Sequence, residues 1–341
     1  MPVETDRHTI LVVTLGGTIA MTAADVDGGV RPALSAEDLL AAVPGLDRVG
    51  VVIETWNFAS LPGASLTIDD IASLAQGLHD RLADGAIRGV VVTQGTDTLE
   101  ETSYLLSLLY SGDAPVVVTG AMRHPQLAGA DGPANLLAAI TTAASPHARG
   151  LGVLIAFNDQ ILDPDRTRKT HSTSTATFAA PDTGALGHIV EGQVRLLAVP
   201  AHRPRPLPLP LTRTAKVGLL TVALGDDGEM LRATQGRFDG LVIAAFGVGH
   251  VPAALVEPLE ETALKIPVVL ASRTGSGSTH TSTYSFDGSE KDLLARGLIG
   301  AGYLDPLKAR LLLTALLRTG ADDDAIRKAF APIGTSEDGR S

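Results

Sequence analysis

The chain has 341 residues, of which 45% are hydrophobic and 19% are charged. This length and composition allow two domains, each with a sizeable core. The formal net charge of −11 argues against a nucleic-acid surface and against docking on anionic lipid, because both need clustered Lys and Arg. The chain has no cysteine, which excludes a thiol nucleophile, a disulfide framework and a cysteine-based zinc site.

The hydropathy pattern shows neither a membrane-spanning segment nor an export signal. No run of about 18 consecutive apolar residues occurs, so we expect no transmembrane helix. Residues 1–8 lack the basic start, the apolar stretch and the small-residue cleavage site of a signal peptide. We therefore expect a cytoplasmic protein.

Apolar, β-branched runs alternate with helical patterns along the chain. The predicted strands are residues 9–14, 49–54, 89–93, 115–120, 151–157, 217–224, 240–245 and 267–272. The predicted helices are residues 35–42, 67–83, 99–110, 133–144, 251–264, 306–318 and 322–330. Several strands are continuous Val, Ile and Leu runs, as expected where helices cover both faces of a sheet. The pattern predicts an α/β fold of two doubly wound domains, with a larger N-terminal parallel-type sheet and a smaller C-terminal α/β domain.

A proline-rich segment divides the chain. Prolines recur too often between Ala201 and Leu211 for a helix or a central strand. We interpret this segment as a linker of polyproline character, with an SH3-type ligand as the alternative. The predicted organisation is an N-terminal catalytic domain over residues 1–200, a linker over 201–216 and a C-terminal domain over 217–341.

Two helix starts carry capping signals. Thr98, followed three residues later by Glu101, predicts a capping box at the start of the third helix. Asp131, followed by Gly132 and Pro133, predicts an N-cap with an early proline.

Two threonine-centred segments lie where predicted buried strands end, at residues 14–20 and 93–102. The loops at the carboxyl ends of strands carry the chemistry of parallel α/β folds. Thr18 and Thr96 would lie in these loops, each after a glycine that lets backbone approach a ligand. Two hydroxyls and the Asp97 carboxylate at one edge predict nucleophilic acyl transfer. The alternative for Thr18 is an ordinary capping role in a glycine-rich turn.

Asp97 and Lys169 each allow a structural and a functional interpretation. Asp97 either places negative charge at a helix N-terminus or accepts hydrogen bonds from a substrate ammonium group. Lys169 lies in a polar, threonine-rich loop and is either a surface lysine or a base close to Thr96 and Asp97. In the second case a Thr–Lys–Asp group would do what Ser–His–Asp does elsewhere.

Other catalytic and binding motifs do not occur. The glycines around Thr18 match neither the dinucleotide fingerprint nor the phosphate loop, and the histidines lack metal-binding spacing. There is no G-x-S-x-G elbow. His250 follows a predicted strand, and the residues alone favour a packed or capping role over ligand binding.

Taken together, these segments resemble the bacterial-type L-asparaginases. The matching segments, in chain order, are residues 15–20, 94–104, 120–123, 130–136, 169–170, 176–178 and 304–310. The resemblance implies hydrolysis of L-asparagine to L-aspartate and ammonia by a two-threonine amidohydrolase that needs no metal or other cofactor. It also implies a homotetramer built as a dimer of dimers.

The resemblance implies a role for each matching side chain. Thr18 resembles the threonine that forms the acyl-enzyme, and Thr96 resembles the second essential threonine. Asp97 resembles the residue that holds the substrate α-amino group, and Lys169 the lysine of the triad.

Further positions would contact the substrate. Ser60 looks like the serine that binds the α-carboxylate, with Ser65 as its rival, and Ala121 would offer backbone atoms to the substrate amide. His250 and Tyr284, in the C-terminal domain, would lie near the amino end of the substrate.

The chain departs from the family pattern at positions that bear on activation and selectivity. Residues 21–34 hold no tyrosine, although the family's mobile loop carries one that helps to activate the nucleophile. Leu61 stands where glutamine is frequent, and His250 where asparagine is frequent. Residues 279–287 hold no glutamate, so we expect Tyr284 to be its substitute.

Three alternatives to a dedicated asparaginase remain from the sequence. The first is a dual glutaminase and asparaginase. The second is the amidase part of a tRNA-dependent amidotransferase, which the acidic charge opposes. The third is an asparagine-binding homologue with weak or no catalysis, which the missing tyrosine suggests.

Overall fold

The computed structural model describes residues 8–17, 21–24, 29–32, 35–200 and 205–331, with the backbone alone for 21–24 and 29–32. The chain divides into two compact units, Met1–Pro206 and Leu207–Ser341. The division falls inside the proline-rich segment, and residues 205–216 contain neither helix nor strand.

The N-terminal unit contains twelve strands and four helices among its described residues. The strands are β1 (Thr9–Thr14), β2 (Met21–Ala24), β3 (Gly29–Pro32), β4 (Val52–Asn57), β5 (Ile87–Thr93), β6 (Val116–Thr119), β7 (Val153–Phe157), β8 (Gln160–Leu162), β9 (Arg168–Lys169), β10 (Phe178–Ala179), β11 (Gly187–Val190) and β12 (Gln193–Leu196). The helices are α1 (Ala36–Ala41), α2 (Ile68–Leu82), α3 (Leu99–Leu109) and α4 (Gly132–Ala144).

Eight of these strands form one mixed sheet, in the order β12-β11-β8-β7-β6-β5-β1-β4. Five neighbouring strands, β4, β1, β5, β6 and β7, run parallel. Strands β8, β11 and β12 extend the sheet with antiparallel pairing. Alternate side chains of β1, including Ile10 and Val12, pack with helices α1 and α4. Leu11 and Val13 on the opposite face are also fully buried, which explains why β1 is apolar at every central position.

The C-terminal unit is a smaller α/β unit built on a four-stranded parallel sheet. Its strands are β13 (Val217–Thr221), β14 (Gly240–Ala245), β15 (Val268–Ser272) and β16 (Ile299–Gly300), paired in that order. Its helices are α5 (Glu229–Thr234), α6 (Val256–Ala263), α7 (Glu290–Ala295), α8 (Pro306–Thr319) and α9 (Asp323–Ala329). The predicted α/β class, with a larger N-terminal and a smaller C-terminal sheet, is confirmed.

Some predicted boundaries were wrong for local reasons. The strand predicted at residues 49–54 begins only at Val52, because Leu46–Val49 form a 3₁₀ turn between two left-handed glycines, Gly45 and Gly50. The helix predicted at residues 251–264 begins at Val256, because the extended Pro252 and a 3₁₀ turn precede it. The antiparallel edge strands were missed because they are short and carry polar residues.

The capping box predicted at Thr98 does not form, whereas Asp131 and the early proline lie at the start of α4 as predicted. Thr98 is the N-cap of α3 but accepts no capping hydrogen bond in the described structure; its hydroxyl donates to the Gly63 carbonyl at 2.9 Å. Asp131 is the N-cap residue of α4 and Pro133 lies in its first turn, although the Asp131 carboxylate accepts no capping hydrogen bond from the described helix. Both side chains are used in tertiary contacts near the same edge of the sheet.

Candidate functional site

The loops that follow the parallel strands of the N-terminal unit are tied together by backbone hydrogen bonds. The Leu15 N–H, just after β1, donates to the Thr93 carbonyl at the end of β5 over 2.9 Å. The Leu61 N–H, after β4, donates to the Leu15 carbonyl over 3.0 Å. The Gln94 N–H donates to the Thr119 carbonyl at the end of β6 over 3.1 Å. The carboxyl ends of four neighbouring strands therefore form one connected edge, where α/β proteins bind ligands.

Glycines allow the close approach of these loops. Gly16 and Gly17 have left-handed φ values of 98° and 91°. A Cβ on Gly17 would lie 1.9 Å from the Gly95 nitrogen, and a Cβ on Gly16 would lie 2.6 Å from the Leu61 carbonyl oxygen. No side chain fits at these distances, so only glycine is tolerated at these two positions. Thr18 itself lies outside the described residues.

Lys169, Thr96 and Asp97 are brought together from distant parts of the chain. The Lys169 ammonium donates to Thr96 Oγ1 over 3.0 Å and to Asp97 Oδ1 over 3.2 Å. Thr96 is buried, with 5% of its surface exposed. The Lys169 side chain is 18% exposed and the Asp97 side chain 67% exposed. The arrangement places the buried Thr96 hydroxyl beside the partly exposed Lys169 ammonium, and the Asp97 carboxylate is accessible to a cationic group.

The loop that carries Lys169 is held by its own hydrogen bonds. Strands β9 and β10 pair antiparallel, with Lys169 opposite Phe178. Beyond Lys169, the Thr170 N–H donates to the Thr177 carbonyl over 2.8 Å, and Thr177 Oγ1 donates to the His171 carbonyl. The threonines of this segment thus order the loop, and the buried Phe178 packs on Phe157 with ring centroids 4.9 Å apart.

Ala121 is positioned by the side chains of Asp131 and Asn135. The Asp131 carboxylate accepts hydrogen bonds from the Met122 and Arg123 N–H groups, at 3.0 and 2.9 Å. Asn135 Nδ2 donates to the Gly120 carbonyl over 3.0 Å. Ala121 is fully buried at the end of β6. The turn that could offer backbone atoms to an amide is therefore held from both sides.

Ser60 and its alternative, Ser65, both lie in the loop after β4. The carbonyl carbon of Ser60 lies 3.2 Å from where a Gly16 Cβ would stand. Ser65 ends the 3₁₀ turn Gly63–Ser65 further along the loop. Both serines are exposed. The turn that carries Ser65 is also close to the glycines, since the Gly63 nitrogen lies 3.2 Å from where a Gly95 Cβ would stand, so these contacts do not choose between the two serines.

His250 and Tyr284 contact each other within the C-terminal unit, and Phe286 and Glu290 also contact His250. The ring centroids of His250 and Tyr284 lie 4.9 Å apart, edge to face, as do those of His250 and Phe286. His250 Nε2 lies 3.1 Å from Glu290 Oε2. The interpretation of His250 as a packed residue accounts for these contacts, although its side chain is 23% exposed.

Glu290 was missed by the sequence analysis, which searched for a glutamate only at residues 279–287. Its side chain is fully buried, and Oε1 accepts hydrogen bonds from the Thr283 and Tyr284 N–H groups at 2.8 Å each. Burial by itself raises the pKa of Glu290, but hydrogen bonds from backbone amides and from His250 outweigh it and lower the pKa from its ordinary value. Its position next to Ser289, the N-cap of α7, suggests only a helix start.

The described residues contain no group of three or more His, Asp or Glu side chains that could hold a metal ion. No helix in the same part of the chain is long and apolar enough to cross a membrane.

Comparison with known protein families identifies matches over both units. The family described as "Asparaginase, N-terminal" matches residues 9–202. The family described as "Glutaminase/Asparaginase C-terminal domain" matches residues 216–330.

Individual relatives match over nearly the whole chain. A "Probable L-asparaginase" of Deinococcus radiodurans is 37% identical over 334 residues, which cover 97% of this chain and 98% of that protein. A "Probable L-asparaginase periplasmic" of Haemophilus influenzae is 31% identical over 333 residues, or 95% of this chain and 93% of that protein. The crystal structure of a "Probable Cytoplasmic L-asparaginase" from Campylobacter jejuni superposes with a TM-score of 0.83 at 33% identity, covering 95% of this chain and 99% of that one.

The contact between Gly17 and Gly95 yields a stability prediction. Gly17→Ala is expected to lower the melting temperature more than Gly85→Ala. Both glycines have left-handed φ, at 91° and 72°, but a Cβ on Gly85 would meet nothing within 4 Å. The control therefore loses about 1–2 kcal/mol from the backbone conformation alone, and Gly17→Ala should lose about 1–3 kcal/mol more through the steric clash. Thermal unfolding followed by circular dichroism measures both; equal losses would show that the glycine contact carries no constraint.

Proposed function

Because this chain belongs to the asparaginase family of amidohydrolases, we propose that it hydrolyses the side-chain amide of L-asparagine to L-aspartate and ammonia. The observation that carries this proposal is the pair of hydrogen bonds from Lys169 to Thr96 and Asp97, at the edge where Gly16 and Gly17 lead into Thr18. The reaction needs a nucleophile, a group that handles protons and a site for the substrate ammonium, and these residues supply the three functions.

We assign the nucleophile to Thr18. Its oxygen bonds to the amide carbon, the carbonyl becomes an oxyanion, and backbone N–H groups including that of Thr96 stabilise the negative charge. The hydroxyl proton passes to the departing nitrogen, the carbon–nitrogen bond breaks, and ammonia leaves an ester on Thr18. A water held near Thr96 and Lys169 then attacks the ester carbon, which releases L-aspartate and restores the Thr18 hydroxyl.

The remaining proposed contacts bind the substrate. Asp97, with its exposed carboxylate, accepts hydrogen bonds from the α-ammonium group, and Ser60 donates to the α-carboxylate. The backbone at Ala121 meets the side-chain amide. His250 and Tyr284 are assigned to the amino end of the substrate by the family resemblance.

A second candidate is a dual asparaginase and glutaminase. The match of residues 216–330 to a family described by both activities supports it, as do the departures at Leu61 and His250. An asparagine-binding protein without catalysis remains the alternative from another class.

One ammonia-release assay separates these functions. With L-asparagine, L-glutamine and D-asparagine as substrates, the purified chain is expected to release ammonia from L-asparagine fastest, and Thr18→Ala to lose at least about 100-fold in rate. Comparable rates with L-glutamine would establish the dual activity. Binding of L-asparagine without ammonia release would establish the binding protein, and a fully active Thr18→Ala would eliminate Thr18 as the nucleophile.

The role of the Thr96 hydroxyl can be tested by an isosteric change. Thr96→Val keeps the shape of the side chain but removes the acceptor for Lys169, so kcat is expected to fall by about 100-fold or more. The kcat of Lys169→Met should fall by a similar factor. Thr142→Val is the matched control, because the hydroxyl of this buried threonine donates to the Ala138 carbonyl of its own helix and its loss should leave kcat unchanged. Parent-like turnover by Thr96→Val would refute the triad.

We also propose a cytoplasmic homotetramer. The name of the Campylobacter jejuni relative supports the compartment, whereas that of the Haemophilus influenzae relative points to the periplasm. Sedimentation velocity of the purified protein is expected to give a species of four chains; a stable monomer with full activity would contradict the assembly.

A further inference from the structure

One buried carboxamide joins the ends of two neighbouring strands in the N-terminal unit. Asn135 lies near the start of α4 and is 2% exposed. Its Nδ2 donates to the Gly120 carbonyl, after β6, over 3.0 Å, and its Oδ1 accepts the Asn158 N–H, after β7, over 2.9 Å. Nδ2 also donates to Asp131 Oδ2 over 3.2 Å. A buried amide whose oxygen and nitrogen are both paired is held in one orientation, so Asn135 fixes both strand ends.

The carboxylate of Asp131 completes this network. Asp131 is the N-cap residue of α4, but its side chain accepts no capping hydrogen bond from the described helix. Its two oxygens instead accept the Met122 and Arg123 N–H groups at 3.0 and 2.9 Å. The start of α4 therefore gives up its side-chain cap, and the carboxylate holds the turn of residues 120–123.

This turn packs against the segment that carries Thr96. The Gln94 N–H donates to the carbonyl of Thr119, which precedes Gly120, over 3.1 Å. A Cβ on Gly120 would lie 2.5 Å from the Gln94 carbonyl oxygen and 3.5 Å from Thr96 Cγ2. The two segments therefore meet backbone to backbone at Gly120. Because close-packed interiors have few voids that could absorb a displacement, a shift of the Gly120 backbone is transmitted to Thr96.

We propose that Asn135 is a positioning residue for Thr96: through the Gly120 backbone, it keeps the Thr96 hydroxyl where the Lys169 ammonium can donate to it. The proposal rests on the function proposed above, in which this contact handles protons. The two atoms lie 3.0 Å apart. A displacement of about 1 Å would break the hydrogen bond, and such a misplacement costs up to about 100-fold in rate. Asn135 acts through the turn and touches no reacting atom.

Asn135→Asp tests the proposal at almost constant shape. One oxygen of the new carboxylate can still accept the Asn158 N–H, but the other replaces the amide nitrogen that donates to Gly120 and Asp131. Acceptors then face acceptors, so the turn is expected to move. The kcat for L-asparagine should fall by about 10- to 100-fold.

A double variant separates positioning from stability. In Asp131→Asn combined with Asn135→Asp, the new amide can donate to the new carboxylate, which removes the repulsion between the two side chains. The Gly120 carbonyl still lacks the donor that Asn135 supplied. The melting temperature is therefore expected to recover towards that of the parent, while kcat stays about 10- to 100-fold low.

Gln76→Glu is the matched control, because it also replaces an amide that donates to an aspartate. Gln76 Nε2 donates to Asp80 Oδ1 over 3.0 Å in a solvent-exposed pair on α2. The loss of this hydrogen bond should leave kcat unchanged.

Crystal structures of the parent and of both variants supply a readout that needs no activity. The separation of Thr96 Oγ1 and Lys169 Nζ is expected to exceed about 3.5 Å in each variant, beyond hydrogen-bond distance. If Asn135→Asp does not fold, the double variant, which carries the same loss at Gly120, gives both readouts.

Three results would overturn the proposal. These are an unchanged separation in the variants, a parent-like kcat in Asn135→Asp, and recovery of kcat together with the melting temperature in the double variant, which would show a purely structural role. Absence of ammonia release by the parent would count against the proposed function instead, and the separation in the crystals would still decide the positioning role.

Discussion

The backbones of Gly17 and Gly95 meet where the loops after β1 and β5 cross, leaving no room for a Cβ on Gly17. Much of the N-terminal site depends on this approach. Gly95 precedes Thr96, and Gly17 precedes Thr18, so the contact determines how far apart the two threonine segments can lie. Parallel strands alone would bring the loops to one edge, but the absence of two side chains allows them to touch.

The ion pair in this site is better explained by chemistry than by stability. Asp97 is mostly exposed, and an exposed pair contributes about 0–1 kcal/mol. Lys169 reaches it from a two-stranded ribbon that is held by threonine hydrogen bonds. The contact of this lysine with a buried hydroxyl therefore adds little to the stability of the fold. Ordering the long Lys169 side chain beside Thr96 costs conformational entropy. A role for the hydroxyl and the ammonium in acting on a bound ligand would explain this cost.

The central strands were predictable because their residues are consecutively apolar. Strands β1 and β14 begin and end where the sequence predicts, because each is a run of residues buried on both faces. The position of Lys169 had no such periodic signal: the residues alone allowed either a surface lysine or a base, and the family resemblance implied the base. The Thr98 capping box did not form; the Thr98 hydroxyl instead donates to the Gly63 carbonyl, 35 residues away in the sequence. Glu290 was missed because its partner His250 is 40 residues away, and nothing local distinguishes it from a helix-starting glutamate.

In each unit, a polar side chain that follows a parallel strand is hydrogen-bonded to a charged partner, Thr96 to Lys169 and His250 to Glu290. In the N-terminal unit the charged partner is Lys169, and the carboxylate beside it is open to water. In the C-terminal unit the charged partner is Glu290, which is fully buried. Removing its carboxylate without a substitute would deprive the Thr283 and Tyr284 amides of their acceptor. Glu290 therefore contacts the backbone as well as His250, and only a substitution that keeps an acceptor for these two amides separates its effect on the imidazole from its effect on stability.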